Sequence, residues 1–205
     1  MRIVVISPEA TDPREVSSMG GFFAAGLERY HVRKPSWGAP ELEAWLRALP
    51  EAWRPHLVLH QHHSLAGKLG LGGIHERDEA REPAPRARAL SRSCHSLASL
   101  ERHMGRFDSI LFGPVFESLT KPGHGPAADF PWGRLEALLK GGRPAGSSSV
   151  LAIGGVTAGR LPRCGELGFD GAAVLGAVWN DPDPVRAFAA VRDAAARLEG
   201  ARHAA

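Results

Sequence analysis

An α/β fold, specifically a (β/α)8 TIM barrel, is what this chain of 205 residues predicts, and three features carry that prediction. Short apolar runs with strand chemistry recur eight times, the count a closed parallel barrel needs. Stretches with helical spacing fall between them, so strand and helix alternate. Near the C-terminus, VLAIGGVTAGRL (150–161) and GFDGAAVLGAVW (168–179) each set a strand-length apolar run before glycine. Glycine lets an anion approach the main chain, and N–H groups at the first turn of a following helix point outward unpaired. Two such strand ends in tandem suggest the last two strands of a barrel, where phosphate is frequently held.

In chain order, strands are expected at 2–7 (RIVVIS), 29–34 (RYHVRK), 56–60 (HLVLH), 72–75 (GGIH), 87–93 (ARALSRS), 108–113 (DSILFG), 149–154 (SVLAIG) and 171–176 (GAAVLG). Helical spacing marks Val16 to Leu27, Pro40 to Leu49, Leu97 to Met104, Trp132 to Leu139, Arg160 to Leu167 and Pro184 to Leu198. Gly20 and Gly21 are costly inside a helix and point to a late start for the first one. The charged, proline-containing stretches 76–86 and 122–131 read as loops, the second placed to close over a ligand. Trp45, Trp53, Trp132 and Trp179 are expected to pack helices on the barrel or anchor loops. A single domain is expected over 1–199, with a frayed tail at 200–205.

Composition narrows the function. A net charge of +3 comes from scattered arginines, without a basic run or an aromatic-interleaved patch, so nucleic acid is not an expected partner. Cys94 and Cys164 lie far apart with no CxxC spacing, which suggests two reduced, buried thiols. No apolar run reaches membrane-spanning length and Met1 leads straight into a strand, so a cytoplasmic protein is expected, with a homo-oligomer left open.

Taken together, the strand ends resemble the thiamine-phosphate synthase and TenI family of (β/α)8 barrels. HVRKP (31–35) resembles the family's basic motif after the second strand, and LVLHQHHSLAGKLGLGGIH (57–75) its third-to-fourth-strand block. SCHSLASLER (93–102) is similar to its serine-x-histidine element, and DSILFGPVFESLTKPGH (108–124) to its glycine-proline-x-phenylalanine block. LAIGGV and GAAVLGAVW complete the order. The synthase joins hydroxymethylpyrimidine pyrophosphate to thiazole phosphate and releases pyrophosphate. A related branch isomerises thiazole carboxylate phosphate.

The resemblance implies small phosphate substrates and no organic cofactor. It places the thiazole phosphate on the main chain of Gly154, Gly155, Leu175 and Gly176. A departing pyrophosphate needs cations and hydroxyls, because charge grows on its oxygens as the bond breaks. Arg33, Ser93, Ser118, Thr120 and Lys121 stand at matching positions, with Thr120 equally suited to capping a turn. Lys34 sits one residue before the family's second cation, where this chain has Pro35. His75 and His95 face the expected mouth as ligand-positioning or proton-transfer candidates.

The main departure concerns magnesium. The family's two ligand aspartates correspond to Gln61 and Ala80, neither a charged ligand, and Asp78 is the nearest substitute. His60 and His62 share a face of an extended segment and could converge on an anion or a softer metal, though no third ligand is evident; main-chain hydrogen bonds are the plainer use. The isomerase branch carries its catalytic histidine where this chain has Pro114. Each branch thus lacks one expected element, and because the pyrophosphate-side residues are more complete than any proton-transfer set, the synthase reading ranks narrowly first, ahead of an isomerase and of a non-catalytic phosphate binder.

Overall fold

Eight parallel strands close on themselves in sequence order, β8 pairing back onto β1, in a computed structural model that describes residues 1–79, 88–119, 123–141, 143 and 146–203. The strands are β1 (Arg2–Ile6), β2 (Arg29–Val32), β3 (Leu57–Leu59), β4 (Gly73–Glu76), β5 (Leu90–Cys94), β6 (Ser109–Phe112), β7 (Ser149–Ala152) and β8 (Gly171–Val174). Around them run α1 (Glu15–Ala24), α2 (Ala39–Ala48), α3 (Ser64–Leu69), α4 (Leu97–His103), α5 (Trp132–Lys140), α6 (Leu161–Leu167), α7 (Gly176–Trp179) and α8 (Pro184–His203).

Each expected strand forms, and most are trimmed at their ends for local reasons. β7 stops at Ala152 because Gly154 and Gly155 both take positive φ, +91° and +63°, which no strand continues through. β8 stops at Val174 because Leu175 already caps α7. His56 closes a 3-10 turn (Glu51–His56) instead of opening β3. β4 reaches Glu76 and β5 begins at Leu90, so the register of both lies later than expected.

The helices differ from expectation in two respects. α1 starts at Glu15 and contains Gly20 and Gly21, because a Cβ on Gly21 would lie 2.6 Å from Val185 of α8; glycine is there for close helix packing, not for a late start. α3 and α7 are additional turns, too short for periodicity to reveal. α8 runs Pro184–His203.

Strand alternation sorts the apolar residues into two layers. Ile3, Val5, Tyr30, Leu57, Leu59 and Phe112 face the helices, where Phe22 of α1 packs against Trp179 and Phe188 at ring distances of 5.6 and 5.2 Å. Val4, Ile6, Leu111, Leu151 and Ala173 form a separate cluster inside the barrel. Trp179 also donates its indole N–H to the Ile6 carbonyl at 2.8 Å, tying α7 to β1. Both cysteines are free and buried. Among the described residues no helix is long and apolar enough to cross a membrane.

Candidate active site

Five residues from three separated segments meet at the C-terminal ends of the strands. Ser118, after β6, Gly154 and Gly155, after β7, and Leu175 and Gly176, after β8, line one cavity of about 100 Å³. The two glycines are obligatory there. A Cβ on Gly155 would stand 2.1 Å from the Glu117 carbonyl oxygen, and one on Gly154 would stand 2.8 Å from Cα of Pro114. Their N–H groups and that of Gly176 are donated to no described residue. Arg160 fixes the pair of loops: its guanidinium donates to the carbonyls of Gly155 (2.6 Å) and Glu117 (3.3 Å) and lies over the Phe116 ring. Thr120 and Lys121 lie outside the described residues.

Arg33 stands at the mouth after β2, about a third exposed, and pairs with Glu9 of the β1–α1 loop. Its N–H donates to Ser7 Oγ at 2.8 Å, and that hydroxyl donates back to the Arg33 carbonyl at 3.0 Å. Lys34 turns the other way. Its ammonium is fully buried, 2.5 Å from Glu15 and within 2.8 and 3.2 Å of the Pro8 and Ala10 carbonyls. Glu15 also accepts the Tyr30 hydroxyl at 2.8 Å, and burial raises its carboxyl above the ordinary range against the pull of Lys34 and Tyr30. All three Lys34 protons thus have protein acceptors, so this residue anchors the β1–α1 loop and is not a phosphate ligand in the arrangement seen. Periodicity could not reveal this, because Glu15 lies 19 residues away.

Magnesium requires near-octahedral oxygen ligation, usually with one or two carboxylates. Gln61, Asp78 and the neighbouring Glu76 each have protein partners. Gln61 gives its amide to the Lys34 carbonyl. Asp78 accepts the His95 N–H at 2.9 Å on one oxygen and the Ser99 hydroxyl on the other, so it braces the start of α4. Glu76 is buried against Arg92 at 2.6 Å, and that arginine also donates to the Asp78 carbonyl at 2.5 Å. Ala80 lies outside the described residues.

His95 is exposed at the mouth and donates Nδ1–H to the Gly113 carbonyl at 2.7 Å. His75 is buried inside the barrel, with Nδ1 2.8 Å from Ser91 Oγ and Nε2 2.9 Å from Ser93 Oγ. The expected pairing of His60 with His62 does not form. His62 takes a positive φ of 51° and bonds the Trp37 carbonyl, while His63 bonds the His75 carbonyl, which is the main-chain use anticipated for the HQHH run. His60 instead stacks on His75, ring centroids 4.1 Å apart, and its Nε2 lies 3.0 Å from Nδ1 of His31. Burial holds His31 down to about 3 and pushes His60 and His75 well below the ordinary histidine value, neighbouring rings and arginines adding to the effect. His31 is the group that sequence reasoning passed over. It stands two residues before Arg33, on the same strand face, and alternation from Arg33 would have found it. Cys94 is buried with its thiol raised by desolvation, and no bond joins it to the His95 ring.

Larger hollows of about 440 and 470 Å³ open at the opposite end of the barrel, beside Met1 and Glu199 and between Arg2 and Arg88. The strands' N-terminal ends face them, and in barrels of this type chemistry sits at the other end.

A family model described as thiamine monophosphate synthase matches residues 3–178. Thiamine-phosphate synthase of Thermus thermophilus is 34% identical over 198 residues, covering 91% of this chain and 90% of its own. The Bordetella pertussis protein of the same name is 30% identical over 194 residues, with 87% of each chain covered. In structure, thiamine phosphate pyrophosphorylase from Bacteroides thetaiotaomicron superposes with a TM-score of 0.77 at 26% identity, covering 95% of this chain and 98% of that one.

Proposed function

Because the chain belongs to the thiamine monophosphate synthase family, we propose that it joins hydroxymethylpyrimidine pyrophosphate to thiazole phosphate and releases pyrophosphate. The observation that carries this reading is the convergence of Ser118, Gly154, Gly155, Leu175 and Gly176 on one cavity, where the N–H groups of Gly154, Gly155 and Gly176 are donated to no described residue. A phosphate monoester needs fixed N–H groups of that kind.

In the proposed reaction the bond between the pyrimidine methylene carbon and the pyrophosphate oxygen breaks, and the electron pair leaves with pyrophosphate. The thiazole nitrogen then donates its lone pair to the delocalised cation, forming the C–N bond. Holding both partners in line is the protein's main contribution. Thiazole phosphate sits against the glycine donors, while Arg33 and the Ser93 hydroxyl meet the charge that grows on pyrophosphate. Ser93 is positioned by His75, and Arg33 by the Ser7 clasp. Lys121 is proposed as a second cation on the strength of the family motif. No step is assigned to magnesium, since Gln61 and Asp78 are committed to other partners. The isomerase reading ranks behind, because Pro114 stands where that branch carries its proton carrier.

The test is a product assay with the two substrates, with and without magnesium, followed for thiamine phosphate. Turnover that Arg33→Ala reduces at least tenfold supports the reading. Absence of product in both conditions, from protein that still binds thiazole phosphate, overturns it in favour of a binder.

A further inference from the structure

We propose that His31, His60 and His75 form a three-histidine site for a borderline divalent transition ion of the zinc or cobalt class, set in the barrel interior, with His31 reaching the hollow at the strands' N-terminal ends. The ligand nitrogens of the three rings all lie within 4.8 Å of one another. In a tetrahedral site with bonds of about 2.0–2.1 Å, neighbouring ligand nitrogens stand about 3.3 Å apart. His31 Nδ1 and His60 Nε2 are already 3.0 Å apart, so ion entry needs that pair to open by a few tenths of an ångström and the third ring to close in.

The strands dictate the convergence. His31↔Val58 is a cross-strand pair of β2 and β3, and Val58↔Gly73 one of β3 and β4. Two residues further along the strand direction, on the same inward face, come His60 and His75. Three adjacent strands therefore aim one imidazole each at the same point inside the barrel.

The surroundings suit ligation. Ser91 Oγ donates to the Ile74 carbonyl at 3.3 Å, so it accepts Nδ1–H of His75. That bond fixes the His75 tautomer, as an outer partner does for a metal-bound histidine, and leaves Nε2 as an acceptor whose lone pair meets the Ser93 hydroxyl until an ion displaces it. Ion entry therefore exchanges the Ser93 hydrogen bond on Nε2 for a metal bond, freeing the Ser93 hydroxyl to meet a water in the fourth position. Without a metal, one hydrogen is shared between His31 Nδ1 and His60 Nε2. Ion binding displaces it to the other nitrogen of its ring, with no net change in ring charge. Neutral imidazole is also the ligand class that favours zinc, cobalt or nickel over magnesium. The site does not depend on the synthase reading, and its test is separate from turnover.

Chelator-treated protein is titrated with Co2+ and Zn2+ by calorimetry, elemental analysis and visible absorption. One ion per chain, with the intense bands of tetrahedral cobalt, is expected. His60→Ala should lower affinity by about 100-fold or more and Ser91→Ala by about 10-fold, the scale of an outer-partner loss. His62→Ala and His103→Ala should leave both stoichiometry and spectrum unchanged. Should His60→Ala fail to fold, imidazole nitrogen resonances of the wild-type protein report the same site, with zinc shifting three of the ten histidines. The proposal is overturned by absence of stoichiometric binding, by wild-type affinity in His60→Ala, or by a thiolate-to-cobalt band. That band would place the ion at the separate Asp78, Cys94 and His103 group instead.

Discussion

At the ends of β7 and β8 the groups offered to the mouth are main-chain N–H donors of Gly154, Gly155 and Gly176, held by no described residue. At the ends of β2 and β3 the groups are side chains, and nearly all are engaged: Arg33 with Glu9, Lys34 with Glu15, Gln61 with the Lys34 carbonyl, His60 with His31. The first region is a rigid surface that a ligand completes. The second is a network that a ligand must enter by exchange, Arg33 leaving Glu9 for an anion. Main-chain sites keep their donors free because backbone geometry, not a partner, orients them, whereas charged side chains rest on the nearest opposite charge until something displaces it.

The strongest challenge to this contrast is Lys34→Ala. If the buried lysine is an anchor, removing it strands Glu15 at 3% exposure, and loss of one partner from a buried pair costs about 3–5 kcal/mol. Urea denaturation of Lys34→Ala and of the Lys34→Met, Glu15→Gln double variant separates the cases. The double variant should recover most of the loss. A destabilisation below about 1 kcal/mol, the scale of an exposed pair, would mean that Lys34 is free to swing into the mouth.

On the other side, Gly155→Ala should cost about 1–3 kcal/mol from backbone strain alone and raise the KM for thiazole phosphate, because the added carbon meets the Glu117 carbonyl. Gly159→Ala, four residues on, meets nothing within 4 Å and should leave both quantities unchanged. Equal effects at the two positions would remove the case for a built main-chain site.

This contrast also explains what was legible in the sequence. The barrel could be read because alternation and glycine-terminated runs are local signals, and the cavity residues Gly154, Gly155, Leu175 and Gly176 followed from them. Lys34, Asp78 and His60 could not be placed, since each owes its role to a partner distant in sequence: Glu15, Ser99 and His31. Sequence reasoning paired His60 with His62 by alternation along one strand. The structure pairs it across strands, and His62 leaves the extended conformation altogether. Arg160 was assigned to a helix start, whereas it clamps the two loops that shape the cavity, a role visible only once β6 and β7 lie side by side.

The histidine network makes a smaller, graded prediction for chelator-treated protein. His31 is held at about 3 in the fold against an ordinary value of 6.5, and His60 and His75 are lowered in the same direction by burial, with Arg29, Arg33, Arg92, His63 and His95 as the charged and titratable neighbours. Below the ordinary value the unfolded chain takes up protons that the folded chain refuses, so stability is complete above about pH 6.5 and falls as pH drops. Each such ring contributes a slope of up to about 1.4 kcal/mol per pH unit. Between about pH 6.5 and 5 carboxylates with ordinary values near 4 contribute little, while Glu15, raised by burial, takes up its proton more readily in the fold and opposes the fall. Denaturation midpoints measured across that window should fall with acidity, and less steeply in His31→Gln, which removes one proton from the balance. A flat profile would show that the three rings take up protons as readily in the fold as in the unfolded chain, and the β2 to β4 interior would then be as open to water as the mouth above it.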